Sequence, residues 1–139
     1  MLIELMTLAA VLLLLSKKRG TCSGQPGVYF TWAELSTTRA PFANNPSGPQ
    51  CTNLKRLTTE ILDPLRQLTG APIYVTSAFR SPMVNRIAGG VSNSLHLQGL
   101  AADIYSLKYN PGELKALMIQ KGFPYSKLIV YPSHLHVAL

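Results

Sequence analysis

The pattern of apolar residues predicts an α+β domain with a small, mainly antiparallel sheet and helices packed on it. Helix-period repeats come mostly first along the domain, and short β-prone runs come mostly last. No regular strand-helix-strand alternation, the signature of a parallel sheet, interrupts that order.

The first elements are loops and helices. Residues 20–30 and 40–50 are rich in Gly, Pro, Asn and Ser and read as loops. Between them Thr31-Trp32-Ala33-Glu34 matches a capping box, in which the hydroxyl and the carboxylate each satisfy a backbone N–H at the start of a short helix. From Thr52 to Leu68 the apolar residues Leu54, Leu57, Ile61, Leu65 and Leu68 recur at steps of three and four, one stripe along a helix. Pro64 has no N–H to donate and should kink that helix, and Gly70 stops it. Ile73-Tyr74-Val75-Thr76 comes after the Pro72 breaker as a strand. Ser81-Pro82 starts a short helix, with Ser81 as cap and Pro82 at its first position, ended by Gly89-Gly90. Leu100 to Tyr105 reads as a buried strand. Asn110-Pro111 opens a helix carrying Leu114, Leu117 and Met118, which Gly122 stops. Leu128 to Tyr131 and Leu135 to Ala138 close the chain as strands around Pro132-Ser133. No internal repeat is visible.

At 139 residues the chain fits one domain, read as a monomer, and 47% hydrophobic against 14% charged residues excludes disorder. Part of that apolar share belongs to Met1–Leu15, a segment broken by Glu4 and Thr7 and closed by Lys17-Lys18-Arg19. The organisation is therefore an apolar segment with a basic flank at 1–19 and a domain at 20–139. The segment falls short of the roughly 20 residues that span a bilayer. Its positive charges come after the apolar run, where a secretory signal places them before it. Membrane association through residues 1–19, with the domain on the cytoplasmic side, is one expectation. An atypical signal peptide is another.

Thirteen basic against six acidic residues give a net charge of +7, which favours polyanionic surroundings. No recognition helix, zinc-finger spacing or aromatic-basic interleaving points to nucleic acid. Cys22 and Cys51 form no close metal-binding pair; they either bond to each other in an oxidising compartment or stay free.

The chemistry lies in two stretches about 40 residues apart that hold all three histidines, His96 in one and His134 with His136 in the other. Asp103 comes seven positions after His96. Two imidazoles and a carboxylate make the three-ligand set of a catalytic zinc site, with one position left for water. Zinc lowers the pKa of such a water from about 15.7 towards about 7 and polarises a carbonyl. On a strand, His134 and His136 project from one face, so either can complete the set.

Here the residues resemble a known family. Ser94-Leu95-His96-Leu97-Gln98-Gly99-Leu100-Ala101-Ala102-Asp103 is similar to the zinc-site signature of the D-Ala-D-Ala carboxypeptidases and related phage endolysins, and Ser133-His134-Leu135-His136-Val137 to their second histidine element. The run from Val75 to Pro82, with Asn85 and Gly89-Gly90-Val91, resembles the family's strand and substrate-arginine segment. Tyr29 to Leu35 and Leu62 to Arg66 look like its opening helices, so the likeness extends over about residues 28 to 139. The short ending is similar to compact versions encoded by small bacterial viruses.

The resemblance implies a Hedgehog/DD-peptidase-like fold and one Zn2+ held by His96, Asp103 and His136. It implies a metallopeptidase cleaving peptidoglycan stem peptides, as a carboxypeptidase or an endolysin-type endopeptidase. Arg80, and Ser94 with it, would hold the substrate; a guanidinium offers a bidentate fork to a carboxylate. Such a protein would stay in the host cytoplasm or at its membrane until lysis, or act in the cell envelope. Family members commonly carry Glu or Asp three residues before the last histidine ligand as general base, where this chain has Ser133. His134 is the nearest replacement, and Tyr131 a hydrogen-bond donor beside it. The alternative is a weak or inactive zinc module that binds the wall without cutting it.

Overall fold

The computed structural model describes residues 22–139, so the apolar segment at 1–19 and its expected membrane role lie outside the described residues. The chain forms helices α1 (Trp32–Leu35), α2 (Pro49–Leu57), a π-helical turn (Thr58–Leu62) and α3 (Asp63–Thr69) before its first strand. Then come β1 (Tyr74–Ser77), α4 (Pro82–Ile87), a 3-10 turn (Leu95–Gln98), β2 (Ala101–Tyr105), α5 (Pro111–Gln120), β3 (Lys127–Val130) and β4 (Leu135–Ala138). The strands make one antiparallel sheet in the order β1-β2-β4-β3. This is the α+β architecture expected from the sequence. Among the described residues no helix is long and apolar enough to cross a membrane.

Alternation along the two central strands sorts side chains by face. Ala102 and Ile104 of β2 and Leu135 and Val137 of β4 are buried with Leu54, Leu57, Ile61, Leu62 and Leu65 of the long helix and Leu114 and Met118 of α5. Burying each such leucine stabilises the fold by about 1.5–3 kcal/mol. Asp103 and His136 therefore emerge on the opposite face.

The long helix departs from the expected one in three ways. It starts at Pro49 rather than Thr52, inside a stretch read as loop, because a proline at the first helical position loses no hydrogen bond. The expected kink at Pro64 is a π turn instead, in which the Asp63 N–H reaches back to the Thr58 carbonyl. The wider turn accommodates a proline that cannot donate to the carbonyl four residues earlier. Inserting that turn also rotates the helix beyond Thr58. Leu62 is fully buried, whereas Leu68, placed on the core stripe by its spacing, is 38% exposed.

Two clamps tie the N-terminal stretch to this helix. Cys22 and Cys51 form a disulfide, which decides a pairing the sequence left open. The buried Asp63 carboxylate accepts the backbone N–H groups of Val28 at 2.7 Å and Tyr29 at 3.1 Å.

Candidate metal centre

Register builds the centre. Asp103 on β2 and His136 on β4 are direct cross-strand partners, so both side chains rise from the solvent-facing side of the sheet. The His136 Nδ1 lies 2.9 Å from Asp103 Oδ1. His96 arrives from the 3-10 turn that precedes β2, and its Nε2 lies 3.4 Å from the same oxygen. One ligand atom from each of His96, Asp103 and His136 lies within 4.8 Å of the others, a group able to hold a metal ion.

The turn bearing His96 is held on several sides. Ser94 caps it, its Oγ accepting the His96 N–H at 3.3 Å. From α2, Gln50 Nε2 donates to the Leu97 carbonyl at 3.3 Å and Asn53 Nδ2 to the Gln98 carbonyl at 2.8 Å. Gly99 ends the turn with φ +74°, and a Cβ there would stand 2.8 Å from the Gln50 carbonyl oxygen. Only glycine satisfies both the left-handed backbone and the close approach.

The donor chemistry fits zinc. His96 Nδ1 lies 2.6 Å from the Ala78 carbonyl, which only accepts, so the ring carries its proton there and presents the Nε2 lone pair to the centre. Burial alone would raise the Asp103 pKa. When the His136 and His96 rings are charged, their hydrogen bonds and positive charge outweigh it and hold the carboxyl well below the usual range. Asp103 is thus ionised, the state in which it could serve a divalent cation as a ligand.

Arg80 takes the other carboxylate oxygen. Its Nη2 is 3.1 Å from Asp103 Oδ2, its Nε donates to Ser77 Oγ at 2.8 Å, and its Nη1 to Asn85 Oδ1 at 3.4 Å. A register shift between Val75 and Ser77 sets Ser77 opposite Asp103, beside that guanidinium. Asn85 is buried and also donates from Nδ2 to the Val91 carbonyl at 2.9 Å, tying the Gly89-Gly90 loop to Arg80. Ser77 and Ala78 are marked in the sequence only by lying in the run that resembles the family, with no role assigned to either. Asn85 is marked only by the motif resemblance.

β4 has the bounds read from the sequence, and His134, expected to share its face with His136, lies one residue before it, where the short turn from β3 closes through the Tyr131 N–H to the His134 carbonyl at 2.9 Å. Its ring still faces the centre. Nε2 is 3.9 Å from Asp103 Oδ1 and Nδ1 is 3.0 Å from Ser133 Oγ. Tyr131 stacks on that ring at 4.7 Å between centroids and is otherwise half exposed.

The sheet offers one imidazole and a carboxylate on its solvent face and the adjoining turn a second imidazole, a donor set able to hold a metal ion, with a guanidinium on the carboxylate. The Peptidase M15 family model matches residues 28–138, and the chain belongs to that family. Its peptidases are zinc-dependent and act on peptidoglycan peptides. None of the curated proteins matches the chain.

Proposed function

We propose that this chain is a zinc metallopeptidase that hydrolyses peptide bonds in peptidoglycan stem peptides, as a D-Ala-D-Ala carboxypeptidase or an endolysin-type endopeptidase. The convergence of His96, Asp103 and His136 carries this reading. Zinc held by those three residues would supply Lewis acidity, acidifying a water and polarising the scissile carbonyl.

The chain's own residues supply the rest. Arg80 fixes Asp103 through Oδ2, while its remaining N–H groups serve a substrate carboxylate or carbonyl oxygen. The Ser94 oxygen accepts the His96 N–H, which leaves its hydroxyl proton for a substrate acceptor. His134 moves the proton: Nε2 faces the centre, Ser133 hydrogen-bonds Nδ1, and Tyr131 holds the ring plane.

One observation favours a second reading. With Ser133 where the family's acid commonly stands, the domain would bind zinc and cell wall without turnover. Zinc stoichiometry and muropeptide cleavage, measured on wild type, His96→Ala and His134→Ala, separate the two. A zinc-loaded wild type that releases no product selects the binding module. A wild type without zinc, or undiminished cleavage by His96→Ala, rejects both. Attachment to a membrane through residues 1–19 is a separate proposal, tested by deleting them and tracking the protein in membrane fractions.

A further inference from the structure

A groove runs along β1, the edge strand of the sheet. Its inner part, about 220 Å³, reaches Arg80 and Ser77. Its outer part, about 370 Å³, is lined by Tyr74, Tyr105 and Glu34. The two share Thr37, Thr38, Arg39 and Thr76, so they form one channel whose inner end is the guanidinium paired with Asp103.

Tyr74 and Tyr105 are cross-strand partners whose rings stack at 4.9 Å with planes 20° apart. Tyr105 covers one face of Tyr74. Because β1 is the outermost strand, no further strand covers the other, and Tyr74 is 38% exposed beside the groove. A tyrosine face carries the negative part of the ring quadrupole and attracts the weakly positive C–H groups of an apolar ring face. The facing wall offers the hydroxyls of Thr37 and Thr38, the Glu34 carboxylate and the Arg39 guanidinium. These charges cancel, so the wall favours a neutral ligand rich in hydroxyls over a polyanion.

We infer that this groove is a saccharide subsite, which holds a hexosamine ring of the glycan against Tyr74 while the attached peptide reaches the metal centre. The inference rests on the peptidase reading for its substrate. Tyr105 stands two residues from Asp103 on the same strand face, so a ring beyond Tyr74 lies on the order of 10 Å from the centre. About three extended residues cover that distance. The preferred substrate is therefore a stem peptide still joined to its sugar.

Calorimetric titration of the full chain with a β-1,4-linked N-acetylglucosamine tetramer tests the subsite without requiring turnover. Wild type and Tyr74→Phe should bind it saturably, and Tyr74→Ala about tenfold more weakly. Arg39→Ala, on an exposed loop position, should weaken binding as well and serves if Tyr74→Ala does not fold. In cleavage assays wild type should show a KM about tenfold lower for a disaccharide-linked peptide than for the same peptide without sugar, and Tyr74→Ala should collapse that ratio. No saturable binding by wild type, or wild-type affinity in both alanine variants, overturns the subsite. Tetramer binding that depends on Tyr74, in a protein that cleaves neither substrate, upholds the subsite and rejects the peptidase reading.

Discussion

Asp103 and His136 face each other across β2 and β4 with Nδ1 and Oδ1 2.9 Å apart, and His96 addresses the same oxygen from a turn outside the sheet. Two of the proposed ligands thus depend on strand register and the third on a separate turn. The centre can therefore be disturbed from either side independently.

Loading the centre should stabilise the fold, since a ligand that binds only the native state adds RT ln(1 + [L]/Kd). At zinc about a hundredfold above Kd this is about 2.7 kcal/mol, and a chelator should lower Tm by on the order of 10 °C. Differential scanning calorimetry of His96→Ala, with and without chelator, should show no such difference.

The Asp103 carboxyl gives the metal-free domain a defined acid response. Its folded pKa is depressed, so its contribution is complete above the unfolded value of about 3.9 and is lost as pH falls through the lower folded value. Denaturant titrations of metal-free wild type and Asp103→Asn should show a stability gap that narrows as pH falls below about 4.

His134→Ala should lower kcat by about 10²–10⁴ while zinc stoichiometry stays at the wild-type value, the range of a lost general acid-base. Adding Ser133→Glu to that variant should restore part of the rate, because a carboxylate then stands where relatives commonly keep one. Muropeptide turnover with metal analysis checks both outcomes. Loss of zinc in His134→Ala would make it a ligand instead.

Gly99→Ala should destabilise the domain by about 1–3 kcal/mol, because it combines a left-handed backbone with a Cβ pressed on the Gln50 carbonyl. The 3-10 turn must then shift and carry His96 with it. Zinc affinity, measured by competition with a chromophoric chelator, should fall in parallel.

Reducing the Cys22–Cys51 bond, which joins residues 29 apart, should cost about 3–4 kcal/mol by the loop-entropy relation. Urea midpoints with and without reductant read this directly. Cys22→Ser should reproduce the reduced value.

Local chemistry was legible wherever the signal and the structure share one stretch of chain. Thr31 with Glu34 forms the capping box, Asn110 with Pro111 opens α5, and Ser81 caps α4, each as read from the sequence. The long helix was readable until its own proline intervened. No periodicity rule anticipates a π turn, so Leu68, which the spacing put on the core stripe, is exposed, while Leu62, which the stripe left out, is buried. The 3-10 turn under His96 was also missed, because its support comes from Gln50 and Asn53 on another helix.

By itself the sequence determined the α+β class, the capped helices and the residue types able to hold a metal, since each depends on neighbours within a few positions. Only the tertiary structure decided that Cys22 meets Cys51, that Arg80 pairs with Asp103 and that His136 stands opposite Asp103. Those outcomes hang on contacts between residues far apart in the chain, where a one-residue slip in strand register would turn His136 into the core.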